Sequence, residues 1–259
     1  MYSSARRERC LNSGFWLPAF TLWRRELTRF WREKARVAGF VGSPLIFWLV
    51  IGSGFGNLSF FFPGALTLTV MFSAVFSTMS LIEDRREGFL LSMLVSPAPR
   101  SAMVLGKVMG SATLAWIQGL MFLAFFPLAG FRPSAVAIAE LVGVLFLISF
   151  TFTSLGFLLA WQMDSTQGFH AVINLLLFPL WMISGAIFSI ESAHGWMQVL
   201  MRMNPLTYSL ALVRHFLECS NGEGLPPLTM SLVVSLTTGI ALWMASTFAA
   251  SQRTTRNFG

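Results

Sequence analysis

The sequence predicts an all-α membrane protein. It reads as six transmembrane helices, an N-terminal amphipathic interfacial helix and short re-entrant helices before the last span. Three observations carry this expectation. Hydrophobic residues make up 55% of 259 and charged residues 11%, with a mean hydropathy of +0.67. A soluble domain carries about 25% charge, so this chain lacks the polar groups to cover a water-facing surface. Six windows run apolar for long enough to cross a bilayer. The basic residues then crowd one side of those windows. Composition also excludes other classes: 26 Phe and 9 Trp argue against disorder, and two Cys cannot staple a disulfide scaffold.

A spanning helix needs about 20 apolar residues, because in lipid the backbone must bond to itself. The windows are roughly 37–56, 60–82, 108–129, 138–160, 169–190 and 229–250. Barrel strands would alternate apolar and polar residues; runs such as Leu145-Phe146-Leu147-Ile148 do not. The chain divides into a cytoplasmic amphipathic segment (1–36), a six-helix membrane domain (37–250) and a cytoplasmic tail (251–259).

Orientation follows from Lys and Arg. Residues 1–36 hold nine of the 18, the 83–107 loop holds four, and the tail adds Arg253 and Arg256. The opposite side has only Arg132, Arg202 and Arg214. Both termini are therefore expected in the cytoplasm, with 191–228 outside. The start has no early apolar run with a small-residue cleavage site, so no cleavable signal peptide is expected.

Trp16, Phe20, Trp23, Leu27 and Phe30 or Trp31 recur at helical spacing, and Arg25, Arg29, Arg32 and Arg36 repeat at the same period. Such a helix is expected to lie along the inner face, its aromatics at headgroup level and its arginines toward water and phosphate.

The next loop concentrates charge: Glu83, Asp84, Arg85, Arg86, Glu87 and Gly88 precede Phe89, Leu90, Met93 and Leu94 at helical spacing, and Pro97 stops that helix. A short apolar helix outside the bilayer needs a cover, which lipid, the N-terminal helix or a soluble partner would provide. Lys107 and Glu140 sit about one turn from a span end, where snorkelling is the ordinary fate. Gly52-x-x-x-Gly56 and Gly106-x-x-x-Gly110 permit close helix approach, within the chain or between copies.

The 191–228 segment is too polar to span. Trp196, Val199, Leu200 and Met203 recur helically, as do Leu206, Leu210, Val213 and Leu217, and Asn204-Pro205 separates the two runs. This predicts two short amphipathic helices against the outer leaflet, a gate above the path or an external cap. Tyr208 would hold the second helix at the interface, and Arg214 would bond a carbonyl or phosphate.

The loop Glu83-Asp84-Arg85-Arg86-Glu87-Gly88, its following Leu and Pro, and Leu105-Gly106-Lys107 resemble the first cytoplasmic loop of ABC-2 type exporter permeases. Ser184-Gly185-Ala186-Ile187-Phe188-Ser189-Ile190 and Asn204-Pro205-Leu206-Thr207-Tyr208 followed by Arg214 are similar to that family's outer segment. Two departures stand out. The loop reads Gly88-Phe89-Leu90-Leu91 where the family often has Gly-Thr-Leu-Glu, so an acidic contact at 91 is absent. Ser189 and Ile190 stand where a Pro is usual. The resemblance implies a half-channel that pairs with a second permease, as a homodimer or with a homologue, and with two copies of a separate P-loop ATP-binding subunit. The coupling loop would be Glu83, Arg85, Arg86, Glu87, Gly88, Phe89, Leu90, Met93, Leu94 and Pro97. The outer gate would be Gly185, Phe188, Asn204, Pro205, Tyr208 and Arg214.

Chemical motifs are missing. Gly106-Lys107 is the only Gly-Lys pair, with Ser101 and Val108 where a P-loop needs Gly and a hydroxyl. His170, His194 and His215 lack zinc spacing. No catalytic or metal residue is expected, no cofactor on this chain, and ATP and Mg only on the partner. With no deep carboxylate or His relay, energy should come from outside the chain. The leading expectation is a plasma (inner) membrane exporter subunit for a hydrophobic, amphipathic or lipid-linked substrate. The alternatives are an ATP-independent assembly factor or channel, and a membrane-embedded lipid-modifying enzyme.

Overall fold

A computed structural model describes residues 4–32, 34–95, 98–217 and 224–252. Among these residues all regular structure is helical. The helices are α1 (Ser4–Arg32), α2 (Lys34–Gly54), α3 (Leu58–Ser77), α4 (Ser80–Arg86), α5 (Phe89–Val95), α6 (Arg100–Leu123), α7 (Ala135–Gln162), α8 (Thr166–Trp181), α9 (Gly195–Met203), α10 (Pro205–Phe216) and α11 (Leu228–Gln252). A 3-10 turn follows α6 at Phe126–Ala129, and a π turn ends α8 at Met182–Ala186.

Local chemistry sets the boundaries. Asn57, Ser134 and Ser165 accept the backbone N–H three residues on, capping α3, α7 and α8. Gly88, at φ +74, turns the chain from α4 into α5, a conformation that a Cβ disfavours.

The core forms around α3, which packs against α2, α6, α7, α8 and α10. Its residues 61–71 are buried without interruption. The hydroxyls there bond within the helix, Thr67 Oγ1 to the Pro63 carbonyl at 2.7 Å and Thr69 Oγ1 to that of Ala65 at 2.9 Å, so they enter the core without orphaned groups. Around it, α11 lays a small-residue face on α7: Ser231, Ser235, Gly239 and Ser246 are buried, and Ser246 Oγ donates to the Ser154 carbonyl. Val233, Leu236, Ile240, Met244 and Phe248 point outward. Small residues inside and large apolar residues outside is the pattern of helices packing in lipid.

Among the described residues, four helical segments are long and apolar enough to cross a membrane: Leu58–Arg86, Ala135–Gln162, Thr166–Ala186 and Leu228–Gln252. The remaining two windows map onto α2, whose apolar stretch is Gly42–Gly54, and α6. The latter ends at Leu123 rather than near 129. Its mean hydropathy is lowered by Gly106, Lys107, Gly110, Ser111, Gln118 and Gly119, all of which are buried.

Three expectations are corrected. On α1, Ala19, Leu22 and Glu26 are buried against α6, while Trp16, Leu17 and Phe20 are exposed, which is compatible with the expected headgroup position. Arg25 and Arg29 turn inward to carboxylates instead of outward to water. Phe30, Trp31, Arg32 and Arg36 have side chains outside the described set. Lys107 does not snorkel, because it has two carboxylates at its own depth. Finally, α10 is not an interfacial helix. Residues 206–214 are buried on every face, between α11, α7 and α3.

Candidate functional site

One end of the molecule gathers α1, the α4–α5 hairpin, the turn after α7 and the end of α11. Its centre is a buried set of charges. The Lys107 side chain is 2% exposed, that of Glu26 3% and that of Asp84 0%. Lys107 Nζ donates to Glu26 Oε1 at 2.6 Å and to Asp84 Oδ2. Ser80 Oγ donates to Glu26 Oε2 at 2.8 Å. Arg25 grips Asp84 with both Nη atoms, at 3.0 and 2.8 Å, and Arg29 reaches Asp84 Oδ1 at 3.3 Å and Glu83 Oε2 at 2.7 Å. Three cations thus face three carboxylates, with the fork geometry that makes Arg suited to a carboxylate. The bond that Arg25 donates to Asp84 outweighs desolvation and holds the Arg25 guanidinium above its usual pKa.

Three elements share this set: Glu26, Arg25 and Arg29 on α1, Ser80, Glu83 and Asp84 on α4, and Lys107 on α6. The approach is close because α6 presents glycines. A Cβ on Gly106 would lie 2.6 Å from the Ala19 carbonyl, and one on Gly110 would lie 2.7 Å from Glu26 Cβ. The Gly106-x-x-x-Gly110 pair therefore packs within the chain. Gly52 abuts Leu58 across the α2–α3 turn, and Gly56 sits in that turn at φ +66.

The other loop residues are used within the chain. Arg85 donates to the Trp161 and Met163 carbonyls and to Asp164 Oδ1 at 2.7–2.9 Å, and Arg86 donates to the Asp164 carbonyl. They close the C-terminus of α7, where carbonyls lack helical donors and the dipole favours cations. Arg100 does the same for α11 through Ser251 at 2.8 Å. Glu87 lies exposed, 3.9 Å from Arg29. Phe89 sits under the Arg25 guanidinium, 3.8 Å from its ring centre. Leu90 is buried, and Met93 is half-buried in a crevice of about 240 Å³ with Leu22, Phe89 and Met103. The apolar side chains that α5 leaves open are Leu91 and Val95, 54% and 78% exposed. The Leu94 side chain and Pro97 lie outside the described residues.

The sequence reading missed Glu26, Asp84 and Lys107 as site residues. A signal existed for Glu26. It continues the Ala19–Leu22 stripe at helical spacing, and a carboxylate on a packed face calls for a buried cation.

At the opposite end, side chains from α9 and α10 seize the frayed end of α8. Asn204 Nδ2 donates to the Leu180 carbonyl at 2.6 Å, while its Oδ1 accepts from Leu206 N and caps α10. Pro205 occupies the first helical position, where its missing N–H is harmless. Arg214 Nη2 donates to the Gly185 carbonyl at 2.8 Å, and its guanidinium lies 4.9 Å from the Phe60 ring centre. Gly185 has φ +93 inside the π turn. Tyr208 Oη donates to the Arg202 carbonyl at 2.8 Å, tying α10 to α9. Trp181 Nε1 donates to the Gly64 carbonyl on α3. Phe188 is half-buried in the turn that follows. Five of the six outer residues thus fall into one hub; α9 presents Trp196, Val199, Leu200 and Met203 outward from it.

The model of the ABC-2 type transporter family matches residues 19–217, a stretch that contains both ends of the site. The chain is 30% identical to a putative transport permease, ycf38, of Cyanophora paradoxa over 159 residues, 61% of this chain and 55% of that protein. The chain thus spans about half the length of that relative. It is 25% identical over 245 residues to the probable doxorubicin resistance ABC transporter permease protein DrrC of Mycobacterium tuberculosis, covering 88% of this chain and 86% of the other. Nodulation protein J of Rhizobium leguminosarum bv. trifolii is 25% identical over 207 residues, 74% of this chain and 78% of its own.

Proposed function

Since the chain belongs to the ABC-2 type transporter family, we propose that it is the permease subunit of an ATP-driven exporter, moving a hydrophobic, amphipathic or lipid-linked substrate out of the cytoplasm or inner leaflet. ATP is hydrolysed by a separate P-loop subunit present in two copies, and two permeases, identical or homologous, complete the path. The relatives named for doxorubicin resistance and nodulation support export. The α2 and α6 helices complete six spans. Both termini lie in the cytoplasm of an inner-membrane protein, and α9–α10 form a re-entrant gate on the outer side.

The observation that carries this reading is the buried charge set joining α1, α4 and α6 beside an apolar helix end left open. Removing one partner of a buried pair costs roughly 3–5 kcal/mol, so these elements move as one body. Force applied at Leu91 and Val95 on α5 passes through Phe89 and Arg25 to α1, and through Asp84 and Lys107 to α6. Arg85 and Arg86 carry the same motion to α7. Such a handle is what a subunit needs when its energy arrives from a partner.

Co-expression with an ATP-binding subunit tests the proposal. Wild-type chain should capture the ATPase and alter its hydrolysis rate. Leu91→Asp, at a side chain 54% exposed, should lose capture while the purified protein still elutes as a folded species. Transport and capture unchanged in Leu91→Asp would remove α5 from the coupling role.

A further inference from the structure

Three of the cations at the α1 end are matched one for one. Arg25 closes on Asp84, Arg29 on Glu83 and Lys107 on Glu26. Two charges beside them stand apart. Arg24 is exposed on α1 and makes no ion pair among the described residues. Glu87 caps the C-terminus of α4, 60% exposed, with Arg29 3.9 Å away. Both line one groove of about 580 Å³, together with Thr21, Arg25, Thr28 and Arg29.

Helix geometry sets the order of side chains around α1, at about 3.6 residues per turn. Trp16 and Phe20 come first, then Arg24 with Leu17, then Thr28 and Thr21, then Arg25 and Arg29, which turn to α4. Trp16, Leu17 and Phe20 are exposed. An aromatic flank beside an arginine is the pattern of a helix at headgroup level, where rings meet the acyl boundary and a guanidinium meets phosphate.

The hydroxyls define the ligand further. Thr21 Oγ1 donates to the Pro18 carbonyl at 2.9 Å, and Thr28 Oγ1 to that of Arg24 at 2.8 Å. With their hydrogens engaged, these oxygens act as acceptors toward the groove. Beside the Glu87 carboxylate they call for a cation with N–H bonds to give. Arg24 calls for a phosphate, its planar fork matching two oxygens. A headgroup with a phosphate alone would leave Glu87 opposed by a like charge. A choline would bring no N–H, whereas a primary ammonium brings three.

We propose that this groove binds the headgroup of a phosphatidylethanolamine from the adjoining leaflet, with its phosphate on Arg24 and its ammonium on Glu87, Thr21 and Thr28. The lipid ties α1 to the end of α4 beside the buried charge set. The site is separate from any transported substrate and does not depend on what the chain carries.

The test uses the purified full chain in detergent, titrated with phosphatidylethanolamine, phosphatidylcholine or phosphatidylglycerol of identical acyl chains and followed by native mass spectrometry. Phosphatidylethanolamine should bind about ten-fold more tightly than either other lipid, as one charge-assisted bond implies. Arg24→Ala should erase that preference. Glu87→Gln should lower phosphatidylethanolamine binding and raise that of phosphatidylglycerol, a change of opposite sign that mere loosening of the fold would not give. Equal retention of the three lipids by the wild type, or a preference that survives Arg24→Ala, overturns the proposal. So does displacement of the lipid by inorganic phosphate at equal concentration, which marks a free-anion site. Co-expression with the ATP-binding subunit separates a protein occupant. Capture should persist in Arg24→Ala; capture lost while the lipid preference stays intact assigns the groove to the ATPase and overturns the proposal.

Discussion

Lys107 shows how a single side chain changes meaning with its neighbours. About one turn from a span end it reads as a lysine reaching for water. In the fold it ends between Glu26 and Asp84, with the fork of Arg25 on the far side. Lys107→Met should leave two carboxylates short of a cation and destabilise the protein by about 3–5 kcal/mol. A lowered thermal midpoint in detergent checks this. Glu26→Gln combined with Lys107→Met removes one charge of each sign and keeps an oxygen for Ser80, so it should regain part of the loss. Two independent, additive losses would show that the residues do not act as a set. Asn204 has a similar double duty. Asn204→Ala removes the α10 cap, worth about 1 kcal/mol, and leaves the Leu180 carbonyl unpaired, so the loss should exceed that of an ordinary cap.

Among the elements, α1 depends on glycine. Gly106→Val would push a side chain into the Ala19 carbonyl, a backbone atom that cannot rotate away. The expected result is a lifted α1 with faster amide hydrogen exchange over residues 15–29, while α3 and α7 keep their protection. Unchanged exchange would mean that α1 is not held by this contact. At the α9–α10 end, sequence spacing alone expects Pro205→Ala to fuse the two helices. The Asn204 cap and the Tyr208–Arg202 tie persist in that variant, so the break should survive it. Fusion calls for Asn204→Ala/Pro205→Ala, which should impair export without loss of ATPase capture. Wild-type export from that double variant, correctly inserted, would remove the hinge from the gate.

For the whole molecule, the basic residues counted from sequence meet in space. The Arg25 and Arg29 pairs, the Arg85–Asp164 contact and the Arg100–Ser251 bond place α1, the α4–α5 hairpin, the turn after α7 and the end of α11 at one end. That agrees with the shared side that the Lys and Arg distribution assigns. Tags at either terminus should be shielded in intact cells, and a protease site after Gly222 should be cut from outside. Protection of the Gly222 site would invert the orientation.

By itself the sequence determined that the chain is helical and membrane-embedded, where four of its spans run, which charged loops share a side, and the break at Asn204-Pro205. These follow from local rules: lipid forces each span to bond to itself, so length and apolarity mark it, and a cap residue before Pro starts a helix anywhere. Only the tertiary structure decided which face of each helix turns inward. In water the buried stripe is the apolar one and the charged stripe faces out, a rule that left Arg25 and Arg29 outside. Lipid is as apolar as leucine, so it gives no such instruction. Close packing selects Gly106, Gly110, Ser235 and Gly239 for the inside, and buried charge then goes wherever three helices can bring opposite signs together, as they do at Glu26, Asp84 and Lys107.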